Sequence, residues 1–197
     1  MSPRTPEQNQ ALREETRGRI IRAALALSSS NGYERTTVRA IAEAAGVAQG
    51  LMYSHFASKE DLLRAIFQQS IQDVFASFAL AASGGAGPPT VEAIIRAACV
   101  TVRERLDFWR LSYGVRMQQP VLAALGPELT AWVETIRQTL ERSLRAAGVA
   151  APEVEARLLF AAIDGVCQHY VIDPEGYPLE AVVDALVARY TRQGAMA

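Results

Sequence analysis

The sequence predicts an all-α protein of about nine helices, with a compact three-helix head followed by a larger helical bundle. Three observations predict it. Ala, Leu, Arg and Glu dominate while aromatics reach only 7% and β-branched runs are short, so helices are favoured over strands. Half of the 197 residues are hydrophobic, enough to bury a core without cross-links. Apolar residues recur at three- and four-residue intervals between caps, glycines and prolines placed where helices start and stop.

Residues 1–12 are polar, with two prolines, and read as a disordered N-terminal arm. From Arg13 the stripe Ile20, Ile21, Ala24, Leu25, Leu27 and Ser28 predicts a first helix ending at Asn31-Gly32, where glycine can take the left-handed cap. Thr36 or Thr37 caps a second helix of barely two turns through Val38, Ile41, Ala42 and Ala45. Ala45-Gly46-Val47 then breaks the chain before a third helix over 48–54, a helix-turn-helix arrangement. Ser58 and Asp61 form a capping-box pattern at the start of a fourth helix, 58–81, whose stripe runs from Leu62 to Phe78. The Gly-Pro stretch 83–89 follows, either gating a pocket or simply connecting helices.

The body reads as five further helices. Thr90 caps one over 91–106, a shorter one follows over 107–118, and Pro120 ends it. After a brief turn or short helix near 121–125, Pro127 is expected to open a helix running to Gly148, and Pro152 another ending near Asp173-Pro174. Residues 179–192 close the chain, and no internal repeat is found. The expected domains are therefore 13–60, continuing into the fourth helix, and 61–197.

The net charge of −1 hides a split. Residues 1–60 hold eight Arg or Lys against six acids, and the remaining residues twelve against fifteen. A mildly basic head on an acidic body permits phosphate binding by the head alone. Cys99 and Cys167 sit inside helical apolar patterns and read as small buried hydrophobes rather than a disulfide or a metal pair. No stretch reaches a membrane span and no apolar h-region opens the chain, so a cytoplasmic protein without membrane contact is expected.

The densest chemistry lies between Gly46 and Asp61, which holds the single lysine and one of two histidines. Val47, Met52 and Phe56 suit packing beneath the third helix, leaving Gln49, Gly50, Leu51, Tyr53 and Ser54 less buried. So thin a helix is unstable alone, so what it presents outward is the reason for building it. Ala48 and Gly50 are small enough for close approach to a DNA groove, Gln49 carries an amide that can pair adenine, and Leu51 can meet a thymine methyl. Thr36, Thr37, Arg39, Tyr53, His55 and Lys59 surround them with donors for phosphate oxygens, joined by the free N–H groups opening the fourth helix. Individually each has a plainer reading, as a cap, a solvated face or a packed histidine.

The run from Ile20 to Leu63 resembles the DNA-binding domain of the TetR family of bacterial transcriptional regulators. The resemblance rests on Gly32-Tyr33, Thr36-Thr37-Val38, Ile41-Ala42, Ala45-Gly46-Val47, Gly50, Tyr53, His55-Phe56 and Ser58-Lys59-Glu60. It implies DNA contacts by Thr37, Arg39, Gln49, Gly50, Tyr53, His55 and Lys59, and a helical body that dimerises and binds a small effector. Ala48 departs from the Ser or Thr often found there, and Leu51 is an individual choice, so no operator sequence carries over.

Within the body, an apolar effector pocket is expected among Phe75, Trp109, Tyr113, Met117 and Trp132, although a plain hydrophobic core explains most of them. Arg103, Arg105, Arg110 and Arg116 read either as anchors for an anionic ligand or as a solvated face. Val154, Leu158, Ala161, Ala162 and Gly165, with Leu179, Val182, Val183, Leu186 and Tyr190, form two bands that either cover the core or build a four-helix dimer interface. Two heads about one DNA turn apart would read a palindromic operator in double-stranded DNA. With two histidines, one of them in the head, no metal cluster can be assembled in the body, and no convergent catalytic set is found. A dyad of Cys167 and His169 stays open by spacing, since the two lie about 200° apart on a helix and would need to reach elsewhere, and a structural His169 is the plainer reading. No cofactor is expected. The expectation is a homodimeric repressor released by a hydrophobic or amphipathic ligand, with a helical carrier protein as the alternative.

Overall fold

The computed structural model describes residues 5–82 and 88–193, and these contain nine helices and no strand. The helices are α1 (Pro6–Asn31), α2 (Val38–Ala44), α3 (Gln49–His55), α4 (Lys59–Ala82), α5 (Val91–Glu104), α6 (Leu106–Arg116), α7 (Gln119–Ala146), α8 (Pro152–Ile172) and α9 (Leu179–Gln193). Two compact units form: residues 1–68 with 111–125, and residues 69–110 with 126–197. Helices α4, α6 and α7 each pass from one unit into the other along the chain.

In the first unit α1 packs on α2 and α2 on α3. Ile20, Ala24 and Leu25 of α1 meet a core that includes Ile41, Met52, Phe56, Leu62 and Leu63, all nearly sealed from solvent. Each such aliphatic side chain contributes about 1.5–3 kcal/mol by leaving water. Helix α1 begins earlier than the sequence suggests. Thr5 caps it through a capping box with Gln8, and Pro6 takes the first turn, where its missing N–H costs nothing. Residues 6–12 are thus helical rather than a disordered arm, and residues 1–4 lie outside the described residues. At the other end Gly32 has φ +83° and its N–H donates to the Ser28 carbonyl, the expected glycine stop.

A second departure is the membership of residues 111–125 in this unit. Gln118, just past α6, donates from Nε2 to the carbonyls of Ser28 (3.0 Å) and Gly114 (3.2 Å). Its Oε1 accepts the Tyr33 N–H at 2.7 Å. One side chain thereby ties the chain after α6 to the turn that follows α1.

In the second unit α5 packs on α8 and α9, and α8 on α9. Ile94, Ile95 and Cys99 from α5, Leu159 and Ile163 from α8, and Val183 and Val187 from α9 form buried rows. Thr90 caps α5 by accepting the Ala93 N–H at 3.1 Å, as its position predicts. Helix α7 corrects the expectation of a new helix at Pro127. Pro120 already occupies its first turn, and the helix continues through Pro127 with one interior hydrogen bond missing. The Gly-Pro stretch falls outside the described residues from 83 to 87.

Candidate nucleic-acid interface

The turn between α2 and α3 is set by backbone geometry. Thr37 accepts the Ala40 N–H to start α2, and Gly46 takes φ +64°, the left-handed region that side chains resist. The N–H groups of Gly46 and Val47 then return to the carbonyls of Glu43 and Ala42, which closes α2 and turns the chain into α3. Two side chains pin α3 from below, Met52 at 1% and Phe56 at 3% exposure, with Val47 half-buried. The sequence expectation for this inner face holds.

Apart from half-buried His55, the rest of α3 faces out. Gln49, Gly50, Leu51, Tyr53 and Ser54 are exposed, as is Ala48 at its N-cap, where no side chain caps the helix. Ser54 donates its hydroxyl to the Leu51 carbonyl at 2.7 Å. A Cβ added at Gly50 would meet no atom within 4 Å. The fold therefore does not require glycine there, although glycine inside a helix costs about 0.5–1 kcal/mol relative to alanine.

Around this face the expected phosphate donors divide. Thr37 and Arg39 are exposed beside α3's approach. Thr36 is buried and donates its hydroxyl to the Gly32 carbonyl at 2.9 Å, so its side chain is committed inward, against expectation. Lys59 donates to the Tyr33 carbonyl at 3.1 Å and lies 4.2 Å from the centre of the Tyr33 ring, which restrains its ammonium to the edge of the face. Burial first, then the nearby Glu60 and Glu34 carboxylates, push the Tyr33 phenol up to about 12, so it stays neutral and donates to Glu60 at 3.5 Å. At the start of α4, Ser58 takes the Asp61 N–H, and Asp61 reaches back to the Ala57 N–H rather than to Ser58. Part of the expected free N–H set is consumed by this cap.

His55 sits half-buried beside Phe56. Burial, and then the guanidinium groups of Arg13 and Arg17, hold it below its ordinary value of 6.5. Arg17 also lies 5.3 Å over the Phe56 ring. Two α1 arginines thus join the basic surroundings of α3, which the motif reading did not single out. Their signal was present as the Arg13-to-Arg17 spacing of four, which puts both on one side of a helix. Gln118 left no such signal, because its partner Tyr33 lies 85 residues away in sequence.

The effector residues expected in the body do not form one set. Trp109 and Trp132 are buried and Phe75 is half-buried, edge-on to Phe78 at 6.2 Å. Tyr113 and Met117 belong to the first unit, Arg116 stacks over Tyr113 at 4.3 Å, and Met117 is 71% exposed, where an enclosed pocket would bury it. The Trp132 indole N–H is buried without a hydrogen-bond acceptor among the described residues. The arginines expected on a solvated or anion-binding face are engaged: Arg103 pairs with Glu180 at 2.9 Å, Arg105 with Asp73, and Arg110 with Asp107 at 3.6 Å.

The two bands expected at a dimer interface also separate. On α8, Val154 and Leu158 are 57% and 56% exposed, Ala161 is exposed, and Ala162 and Gly165 are half-buried. On α9, Leu179, Val183, Leu186 and Tyr190 are buried within their own unit, and only Val182 is half-buried. The α9 band is core, because α5 and α8 already cover it, and Tyr190 donates inward to Glu155 at 3.3 Å. His169 is exposed and stacks on Tyr177 at 6.0 Å, whereas Cys167 points into the core, as their angular separation requires. Among the described residues no group of three potential metal ligands occurs, and no helix is long and apolar enough to cross a membrane.

A pinned short helix with an outward glycine, preceded by a glycine turn and ringed by arginines, defines a helix-turn-helix protein. Residues 20–66 match the family described as bacterial regulatory proteins, tetR family, and residues 109–193 match the tetracyclin repressor-like C-terminal domain. The chain belongs to the TetR family, whose members are transcriptional regulators. It is 36% identical over 80 residues to the HTH-type transcriptional repressor KstR2 of Rhodococcus jostii, covering 40% of this chain and 39% of that protein. To the repressor KstR of Mycolicibacterium smegmatis it is 40% identical over 74 residues, 38% of this chain and 36% of that one. These matches span well under half the length of either relative. The fold extends further: the SmeT–triclosan complex superposes with a TM-score of 0.70 at 24% identity, over 89% of this chain and 91% of that one.

Proposed function

We propose that this chain is a homodimeric transcriptional repressor of the bacterial cytoplasm, without enzymatic activity, that reads a palindromic operator in double-stranded DNA through α3. The observation that carries this reading is Gly50: an exposed helical glycine that the fold leaves open and that weakens its own helix. A partner backbone or base edge coming close accounts for it. Gln49 supplies the amide for an adenine edge and Leu51 a methyl contact. Thr37, Arg39, Tyr53 and His55, with Arg13 and Arg17, contact phosphates, while Lys59 acts from the edge of the face and Ser54, its hydroxyl donated to the Leu51 carbonyl, lines the face. Thr36 supports the turn from within. In this division residues 13–60 read DNA and 61–197 bind effector and dimerise through the exposed α8 band.

Release by a small hydrophobic or amphipathic effector is the regulation this reading adds, and the chain path supports it. Phe75, Trp109 and Trp132 offer apolar contact, and the Trp132 N–H offers a donor to an effector bearing an acceptor. Helices α4 and α6 continue from the effector-binding unit into the head. Gln118, at the end of α6, holds the turn after α1, so a displaced α6 perturbs the support of α2 and α3. The effector must prefer the state that does not fit DNA, since equal affinity for both shifts nothing.

Selection of bound sequences from a random duplex pool, repeated across salt concentrations, tests the reading. Enrichment of a two-fold symmetric sequence, with affinity falling steeply as salt rises, is expected. A purified dimer that enriches nothing would contradict it and favour a helical carrier protein.

A further inference from the structure

The two cysteines have no part in the reading above. Cys99 of α5 and Cys167 of α8 are free and buried, and their helices pack directly on one another. The two side chains lie within interacting reach of each other, which makes the sulfurs neighbours across this helix pair. They differ in access. Cys99 forms part of the wall of a cleft of about 110 Å3, lined also by Arg96, Val100, Arg103, Leu179 and Glu180, and Cys167 does not line it. That volume exceeds the roughly 10–15 Å3 that a cleft needs on this measure to hold one water, so a small polar molecule fits beside Cys99.

The cleft also carries charge. Arg96 reaches Asp184 at 2.8 Å and Arg103 reaches Glu180 at 2.9 Å, so two guanidinium groups flank it under partial neutralisation. The neighbouring Cys167 side chain, helped by Arg103 and Arg96, holds the Cys99 thiol below the ordinary thiol range, against burial and the Glu180 carboxylate. A reachable, thiolate-favouring cysteine with a second thiol at its side is the arrangement needed for oxidation to a disulfide.

We propose that Cys99 is a modification site for small hydroperoxides and that Cys167 resolves it, forming an intramolecular disulfide that staples α5 to α8. The Cys99 thiolate attacks the terminal oxygen of the hydroperoxide. An S–O bond forms, the O–O bond breaks, and the leaving alcohol, or water from hydrogen peroxide, carries away the proton. Cys99 is then a sulfenic acid. The Cys167 sulfur attacks it, the S–S bond forms, the S–O bond breaks, and the hydroxyl leaves as water with the Cys167 proton. One hydroperoxide is reduced as two thiols are oxidised.

The test uses the reduced full-length protein and hydrogen peroxide, with thiols counted by alkylation and the product identified by peptide mass mapping. Both thiols are expected to disappear together, yielding one within-chain Cys99–Cys167 peptide, and the oxidised protein should melt several degrees higher because the cross-link closes a long loop. In Cys167→Ser, Cys99 should accumulate as a sulfenic acid that dimedone captures, while in Cys99→Ser the remaining thiol should survive the same exposure. Circular dichroism establishes that both variants are folded, with Cys→Ala as the substitute where serine is not tolerated. Three results would overturn the proposal: thiols that survive peroxide sufficient to oxidise free cysteine, cross-links between chains, or oxidation detectable only in urea that unfolds the protein.

Discussion

Helices α3 and α8 each keep one face in the core and one face out, yet the outer faces have opposite chemistry. On α3 the outer face is a glycine, an amide, hydroxyls and one Leu, carried on seven residues that Met52 and Phe56 anchor. On α8 it carries an aliphatic stripe, Val154, Leu158 and Ala161, with Ile172 77% exposed, flanked by exposed Arg157 and His169, on 21 residues whose other side is also apolar. A small, polar outer face suits a charged, grooved partner. An aliphatic stripe on the outer face of an already packed helix calls for a second apolar surface, and in the proposed dimer a second copy of α8 would provide one under a two-fold axis.

The largest effect should come from placing a charge on the α8 face. Leu158→Glu is expected to abolish the dimer, raising its dissociation constant by more than about a hundredfold, because removing a charge from water without a partner costs several kcal/mol. Sedimentation should show monomers, with helical content unchanged because Leu158 is 56% exposed in the single chain. Val183→Glu on α9, at 2% exposure, should instead collapse the second unit, seen as lost helicity. If Leu158→Glu stays dimeric, α8 is not the association surface.

The contrast between these neighbouring helices marks how far the sequence was legible. Nine helices among the described residues, the Gly32 and Gly46 turns, the Thr90 cap and the inner face of α3 were all readable, because periodicity and capping are local. What covers an apolar stripe is not local. The α8 and α9 bands look alike in one dimension, and only the packing of α5 and α8 over α9 assigns one to the core. Thr36 and Thr37 were indistinguishable as caps until the Gly32 carbonyl claimed the first. The early start of α1 was carried by a local signal, the Thr5-to-Gln8 capping-box spacing with Pro6, whereas the continuous α7 and the reach of Gln118 depended on neighbours that spacing does not report.

On the α3 face the next effect is that of Gln49→Ala. Loss of a bidentate base contact should weaken binding to the selected sequence by about 1–3 kcal/mol and relax preference at one position. Competition between the selected duplex and its single-base variants would measure this. Equal losses on every variant would make Gln49 a backbone contact.

A smaller effect should appear with pH. His55 is held below 6.5 in the free protein, so its neutral form is favoured in the fold, and the stability it contributes is lost as pH falls through the unfolded value. Phosphates nearby in the complex would raise it again, so binding takes up a proton. Affinity should therefore rise a few-fold between pH 8 and pH 6 at constant salt, and His55→Gln should flatten that rise. An affinity that falls over this range would place His55 away from the phosphates.

The most direct test of the central claim is to measure thermal stability and duplex affinity on one preparation of Gly50→Ala. The open space at Gly50 predicts opposite movements: stability up by about 0.5–1 kcal/mol, since alanine is the better helix former, and DNA affinity down. Undiminished affinity in a stabilised protein would contradict the assignment of α3 as the surface that meets DNA.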